Sequence, residues 1–327
     1  MKTINWGIIG CGDVTEIKSG PAFNKVKNSS LVAVMRRNAD KAKDYAARHK
    51  VPRWYSDAGQ LINDPEINAI YVATPPLSHE EYTIAALRAG KPVYVEKPMA
   101  VDAEAGMRMM NAATENNIKL AVAHYRRQQP LFKKIKELIQ TNAIGEIRLA
   151  DLHYFQPPSP IHDKLDPQTN WRVNPAIAGG GLFHDLAPHQ LDLMLYFFGE
   201  VKKASGISLN QAGFYPADDI VSGNILFEND VIFNGTWCFT VPAEEARDHC
   251  EIIGTEGKIS FSVFGDPHIN ITRKGETEMI QFEKLAHVQQ PMIEKVVEYF
   301  LDQAPNPCSA EEGVEVMKAM AAFTKDR

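Results

Sequence analysis

Five short apolar runs, at residues 4–9, 31–35, 69–73, 92–95 and 118–123, recur roughly every 25 to 35 residues with helical patterns between them. Parallel strands cannot be joined by a tight hairpin; they need a long crossover, usually a helix. The spacing therefore predicts a parallel, doubly wound sheet over residues 1–123. The intervening stretches have helical spacing. Residues 40–49 place Ala42, Tyr45 and Ala46 on one face, and residues 102–116 do the same with Ala105, Met109, Ala112 and Ala113. Residues 78–89 open on a Ser-x-x-Glu sequence, Ser78 to Glu81, which reads as a capping box, and end at Gly90.

Beyond residue 144 the character changes. Strand candidates at 147–155, 201–209, 220–227, 231–239, 251–253, 258–263 and 269–273 are joined by turns such as Glu228-Asn229-Asp230 and Gly254-Thr255-Glu256-Gly257. They predict an open, mostly antiparallel sheet, interrupted by one helix between Gly181 and Gly199. A last helix over about 310–323 is expected to pack back on the first domain. The fold class is thus α/β: an N-terminal Rossmann-type parallel sheet, then an α+β domain over residues 124–327 with a large open sheet. A chain of 327 residues, 44% hydrophobic, is long enough for both cores. The segment 156–160, Gln-Pro-Pro-Ser-Pro, reads as a stiff loop.

Charge and cysteine usage exclude several classes. A formal net charge of −6, with no run of Lys or Arg longer than two, offers no basic face for a phosphate backbone, so no nucleic-acid partner is expected. The first apolar stretch is broken by Gly7 and Gly10 and is too short for a signal peptide or a membrane span. A cytoplasmic location with no membrane partner is the expectation. Cys11, Cys238, Cys250 and Cys308 have neither zinc-ribbon nor disulfide-framework spacing and read as free thiols. A broad sheet face carrying Trp237 and Phe239 would suit a homodimer or homotetramer.

The first run ends on Gly10-Cys11-Gly12. A Gly-x-Gly turn directly after a strand lets the chain reverse and brings backbone N–H groups of the following helix against a pyrophosphate. Gly10, Cys11, Gly12, Asp13 and Val14 are the expected contacts, although the third glycine of the dinucleotide fingerprint is Thr15 here. An NAD site would carry Asp or Glu at the end of the second strand; this chain has Arg36-Arg37-Asn38. A guanidinium pairs with phosphate, so Arg36 and Arg37 point to NADP in preference to NAD.

Glu96-Lys97-Pro98 closes the fourth run and places a lysine at the carboxyl edge of the sheet, where ligands of such folds bind. Oxidation of a secondary alcohol needs a base for the hydroxyl proton and a positive charge beside the developing alkoxide. Lys97 can supply the charge, with its own pKa lowered by desolvation so that it can also relay a proton. Asp185 and His189, four apart, share one face of a helix, and Asp192 falls on the same side. His189 is suited to take the substrate proton near neutrality and Asp185 to stabilise the imidazolium. Pro188 is awkward inside a helix, which predicts a helix start near Asp185 or Leu186. His184 points elsewhere and reads as structural. Trp171 can stack on a nicotinamide or a sugar face, with Arg172 reaching a phosphate or a substrate oxygen. A metal on His184, Asp185 and His189 is not expected, because hydride transfer needs none and no third strong ligand is evident.

These motifs follow one order: Gly10-Cys11-Gly12, Thr74-Pro75-Pro76 with His79, Glu96-Lys97-Pro98, Trp171-Arg172, and Gly179-Gly180-Gly181 leading into Asp185, His189 and Asp192. Together they resemble the Gfo/Idh/MocA family, most densely over residues 6–98 and 171–199. The resemblance implies a Rossmann domain for a nicotinamide dinucleotide, then an α/β domain whose open sheet carries the substrate site on one side and often an oligomer interface on the other. It implies sugar and polyol substrates. It adds Thr74, Pro75, His79 and Glu96 to the cofactor set with Lys97 and Arg172, makes Lys97, Asp185 and His189 catalytic, and places Tyr125 and Trp171 with them at the substrate. A cis bond at Pro98 is also implied. The expected function is an NADP-dependent oxidoreductase of a sugar, polyol or related carbonyl compound. The competing readings are a cofactor-sensing regulator without catalysis and a redox-neutral glycosidase with a resident NAD.

Overall fold

The computed structural model describes residues 2–158 and 170–324; Ser159 and Pro160 of the expected Gln156–Pro160 loop lie outside them. The described residues form two compact units, one drawn from residues 1–126 and 285–314, the other from 127–284 and 315–327. The first unit is therefore not one uninterrupted stretch.

In the first unit six parallel strands are β1 (Ile4–Ile9), β2 (Ser29–Met35), β3 (Arg53–Tyr55), β4 (Ala69–Val72), β5 (Val93–Val95) and β6 (Leu120–Val122), ordered β3-β2-β1-β4-β5-β6. The order reverses at β1, whose two neighbours are β2 and β4. Such a switch point opens a crevice at the strand ends where ligands sit. Helices cover both faces, so the strands are apolar on both sides and read as runs without alternation. Asn38 and Asp102 cap the Ala39–His49 and Ala103–Asn116 helices, accepting from Lys41 N and Ala105 N. The returning Gln290–Phe300 helix buries Met292, Ile293, Val296, Val297 and Phe300 in this same core, with Phe300 against Trp6.

The expected capping box at Ser78 does not form. Ser78 has helical backbone angles because a short 3-10 turn, Pro76–Ser78, leads straight into the His79–Arg88 helix, and its side chain makes no cap bond. The box occurs instead at Ser309 and Glu312, where Ser309 N donates to the Glu312 carboxylate and Glu312 N donates to Ser309 Oγ.

The second unit has eight strands: β7 (Ile147–Phe155), β8 (Val201–Leu209), β9 (Ile220–Phe227), β10 (Ile232–Cys238), β11 (Arg247–Gly254), β12 (Lys258–Phe261), β13 (His268–Arg273) and β14 (Glu276–Gln281). They are ordered β14-β13-β12-β11-β7-β10-β9-β8, antiparallel except for β7 with β10. One face is covered and the other open, as the alternating burial along β7, β9 and β10 records. Trp237 and Phe239 do not lie on the open face as expected. Both are buried; Trp237 packs against Phe183 and Phe323 and donates its indole N–H to Gln190 Oε1 at 2.6 Å. Period-two alternation leaves open which face is the core, and here the face with large aromatics is covered. The open face presents Ser205, Ser222, Asn224 and Asn234 with exposed Ile207, Leu209 and Ile232.

The helix carrying Asp185 and His189 runs Leu182–Phe198 and contains Pro188, so it starts earlier than the proline predicted. Pro188 withholds one backbone donor from the residue four before it, at a cost of about 3 kcal/mol. Ala187, His189, Gln190, Leu191, Leu193 and Met194 are all buried around it, and burial of apolar side chains at about 1.5–3 kcal/mol each offsets that cost. Among the described residues no helix is long and apolar enough to cross a membrane.

Candidate active site

The glycine turn sits at the end of β1, at the switch point. Gly10 has φ +96°, and a Cβ there would lie 2.8 Å from the backbone of Ala73 and Thr74, so only glycine fits. Gly12 differs. Its angles are extended, φ −128° and ψ −157°, and an ideal Cβ would meet nothing nearer than the Gly10 carbonyl oxygen at 4.0 Å. The missing side chain thus leaves open space against the backbone at the start of the Asp13–Ile17 helix, which is the room a pyrophosphate requires. Asp13 is exposed there and Val14 half-buried. Thr15, in place of the third glycine, is buried and donates its hydroxyl to Gly12 O at 2.7 Å, which fixes the turn from within. Tyr45 holds the far end of this helix by donating to Thr15 O at 2.8 Å.

Arg36 follows β2 directly and donates from Nη1 to Cys11 O at 3.3 Å, which brings the guanidinium to the rim of the turn. Arg37 is exposed, and Asn38 is taken up in capping the next helix. Burial pushes the Cys11 thiol up to about 11, so it is neutral and unsuited to be a nucleophile.

The loops after β4 and β5 are tied together. His79 is 1% exposed, with Nε2 at 2.7 Å from Thr74 O and Nδ1 at 3.0 Å from Pro98 O. Burial pulls its pKa down although both partners are carbonyls that favour the cation. Desolvation is the largest of these causes, and the ring stands between the Thr74-Pro75 loop and the loop that carries the Lys97-Pro98 peptide, which is cis. Lys97 is half-buried, and its backbone N–H donates to Glu96 Oε2 at 3.1 Å. The Glu96 carboxylate is turned inward, taking Tyr71 O–H and Gln289 Nε2 on Oε1. Tyr125 is buried in the core of this unit.

In the second unit the Gly179-Gly180-Gly181 segment leads into the Leu182–Phe198 helix. Gly180 lacks a side chain because the His184 ring occupies its place: a Cβ would lie 1.9 Å from Nδ1. Burial brings His184 down to about 4, so it is neutral, and a cavity of about 180 Å³ lies beside it, smaller than the ~300 Å³ at which ligand pockets usually begin. Asp185 is joined by Arg172, Nε to Oδ2 at 3.3 Å, and Arg172 stacks 4.6 Å above the Trp171 ring. Trp171, Arg172 and Asp185 are thus one cluster that the sequence had split between cofactor and substrate. His189 is buried one turn on, its ring edge-on to Phe264 at 5.7 Å. Asp192 lies three positions further along the same helix. It forms a bidentate pair with Arg127, whose guanidinium lies 5.3 Å from the Tyr196 ring centre; both charged side chains are at most 3% exposed. The resemblance implies that Arg127, like Tyr125, lines the site, but its pairing with Asp192 has no local sequence signal, since the two lie 65 positions apart. Among the described residues no three His, Cys, Asp or Glu are grouped to hold a metal ion.

Comparison with known proteins places these features in context. The pattern of an "Oxidoreductase family, NAD-binding Rossmann fold" matches residues 4–124, and that of a "GFO/IDH/MocA C-terminal domain" matches residues 132–260. The chain is 48% identical over 320 residues, 98% of each chain, to oxidoreductase P35 of Formosa agariphila. It is 32% identical over 205 residues, 62% of this chain and 54% of the other, to a scyllo-inositol 2-dehydrogenase (NADP(+)) of Bacillus subtilis. Its fold resembles a levoglucosan dehydrogenase solved with NADH and levoglucosan, at a TM-score of 0.87 and 23% identity over 98% of this chain and 96% of that one.

Proposed function

Because the chain belongs to the Gfo/Idh/MocA family of NAD(P)-dependent dehydrogenases and reductases acting on CH–OH groups, we propose that it uses NADP and acts on a sugar or polyol through Lys97, Asp185 and His189. The observation that carries the cofactor reading is the open space over Gly12 with the Arg36 guanidinium beside it. Gly10 and Cys11 shape the turn, their own N–H groups donating to Met35 O, while the backbone N–H groups of Gly12, Asp13 and Val14 at the start of the next helix take the pyrophosphate, and Arg36, with Arg37 outside it, takes the 2′-phosphate. A carboxylate at the end of β2 would repel that phosphate, and there is none. The relatives' names point to both cofactors, one carrying NADP(+) and one solved with NADH, so the preference for NADP rests on the local residues.

The nicotinamide, when bound, exchanges a hydride with a substrate carbon. The chain's own residues do the rest. Lys97 places a positive charge at the substrate oxygen as it becomes an alkoxide. His189 takes the hydroxyl proton, and Asp185, itself oriented by Arg172, binds a substrate hydroxyl and stabilises the imidazolium. Trp171, with Arg172 stacked on it, offers an apolar face to a sugar ring. The substrate class follows relatives named for inositol and levoglucosan. The open face of the second sheet, with Ile207, Leu209 and Ile232 exposed, suits association of two or four copies.

Arg36→Asp tests the cofactor assignment. The ratio of kcat/KM for NADP over NAD should fall roughly 100-fold or more, since the variant trades an attractive charge for a repulsive one. An unchanged ratio would refute it.

A further inference from the structure

We propose that Tyr71 and Gln289 are positioning residues for Lys97, acting through the Glu96 carboxylate. The inference rests on the role of Lys97 given above. Tyr71, Tyr94, Glu96 and Gln289 form one buried polar cluster inside the first unit, with Tyr71, Tyr94 and Gln289 fully enclosed. Tyr71 and Tyr94 are register partners on β4 and β5, and Glu96 lies two residues beyond Tyr94, so all three rise from the same side of the sheet.

The bonds are specific. Glu96 Oε1 accepts from Tyr71 O–H and from Gln289 Nε2 at 2.6 Å, while Oε2 accepts from the Lys97 backbone N–H at 3.1 Å. Gln289 Oε1 accepts from Tyr94 O–H at 3.3 Å. A buried carboxylate must find donors, and here neutral groups supply them on both oxygens. Burial and the neighbouring carboxylate push both phenols well up, so Tyr71 and Tyr94 remain O–H donors. With Oε1 held on two sides, Oε2 can face only one way, and that direction fixes the peptide that carries Lys97.

The cluster also reaches the cofactor turn. The Tyr71 oxygen lies 3.2 Å from Ser19 Oγ, which is 3.3 Å from Val14 O in the helix behind Gly12. Gln289 N donates to Lys18 O at 3.2 Å. Gln289 arrives 193 positions after Glu96, from the segment that returns to this unit. The link from Gln289 to Lys18 is made by its backbone N–H, and Ser19 itself donates to Val14 O, so substitution of the Tyr71 or Gln289 side chain leaves both of these bonds in place.

Tyr71→Phe and Gln289→Leu test this, each with three readouts: NADPH affinity by fluorescence titration, kcat, and the NMR signal of Lys97 after reductive methylation with labelled formaldehyde, assigned by its loss in Lys97→Arg. The expected result is a shifted or broadened Lys97 signal in the free protein, kcat lower by about tenfold or more, and an NADPH Kd changed no more than about twofold, because a displaced catalytic group slows the reaction without removing phosphate contacts. An unchanged Lys97 signal with unchanged kcat in a folded variant would overturn the proposal. Tyr71→Phe keeps the ring packing and decides the matter if Gln289→Leu does not fold. The NMR arm stands without a substrate, so a wild-type protein inert toward sugars and polyols would remove the functional reading and still leave this one judged.

Discussion

Lys97→Ala should lower kcat by about 10³-fold while NADPH binds nearly as well as before. The expectation follows from where the charge is needed. A secondary alcohol does not release its proton near neutrality unless the alkoxide that forms is stabilised, and Lys97 stands at the carboxyl edge of β5 with its peptide anchored to Glu96. The phosphate-binding elements we propose, the glycine turn and Arg36, are on other strands, so truncating the lysine leaves them intact. Steady-state kinetics on a sugar and polyol panel, beside a fluorescence titration, separate the two quantities. Activity within tenfold of wild type would remove Lys97 from the chemistry.

Asp192→Ala should destabilise the second unit by about 3–5 kcal/mol, because it leaves the Arg127 guanidinium buried without its carboxylate. That corresponds to a fall in Tm of roughly 10 °C, or a clear loss in a urea titration. The double variant Arg127→Met with Asp192→Leu should regain much of it, since two apolar groups need no partner. A single variant within about 1 kcal/mol of wild type would contradict the account. Asp192 is on the helix that carries Asp185 and His189, and the guanidinium packed on Tyr196 holds that helix in place.

The parallel sheet was legible because its strands are buried on both sides and flanked by helices with one apolar face. Short or polar elements were not. β3 is three residues long with no apolar run, and β14 is an exposed edge whose side chains carry no alternation. The Pro130–Gln140 and Gln290–Phe300 helices went unassigned although each has proline in its first turn and an apolar stripe, Leu131, Phe132 and Ile135 in one, Met292, Ile293, Val296 and Val297 in the other. That signal was available. The motif residues Gly10, Gly12, Lys97, Asp185 and His189 announce themselves through spacing, but what braces them does not. Gln289 beneath Glu96, Arg127 on Asp192 and Arg172 on Asp185 are contacts between distant positions, and nothing in local pattern links them. Ser78 and Trp237 mislead for a related reason: a motif or an alternation states what a residue is suited for, while the neighbouring turn or the covered face decides its use.

The most direct measurement is an NADPH fluorescence titration of the wild-type protein beside Gly12→Val. The extended angles at Gly12 are open to valine, so the variant should fold with an unchanged Tm, while its side chain fills the space against the turn. Saturable binding by the wild type that disappears in the variant is the predicted result; equal affinity in the two would show that the dinucleotide does not lie across the end of β1.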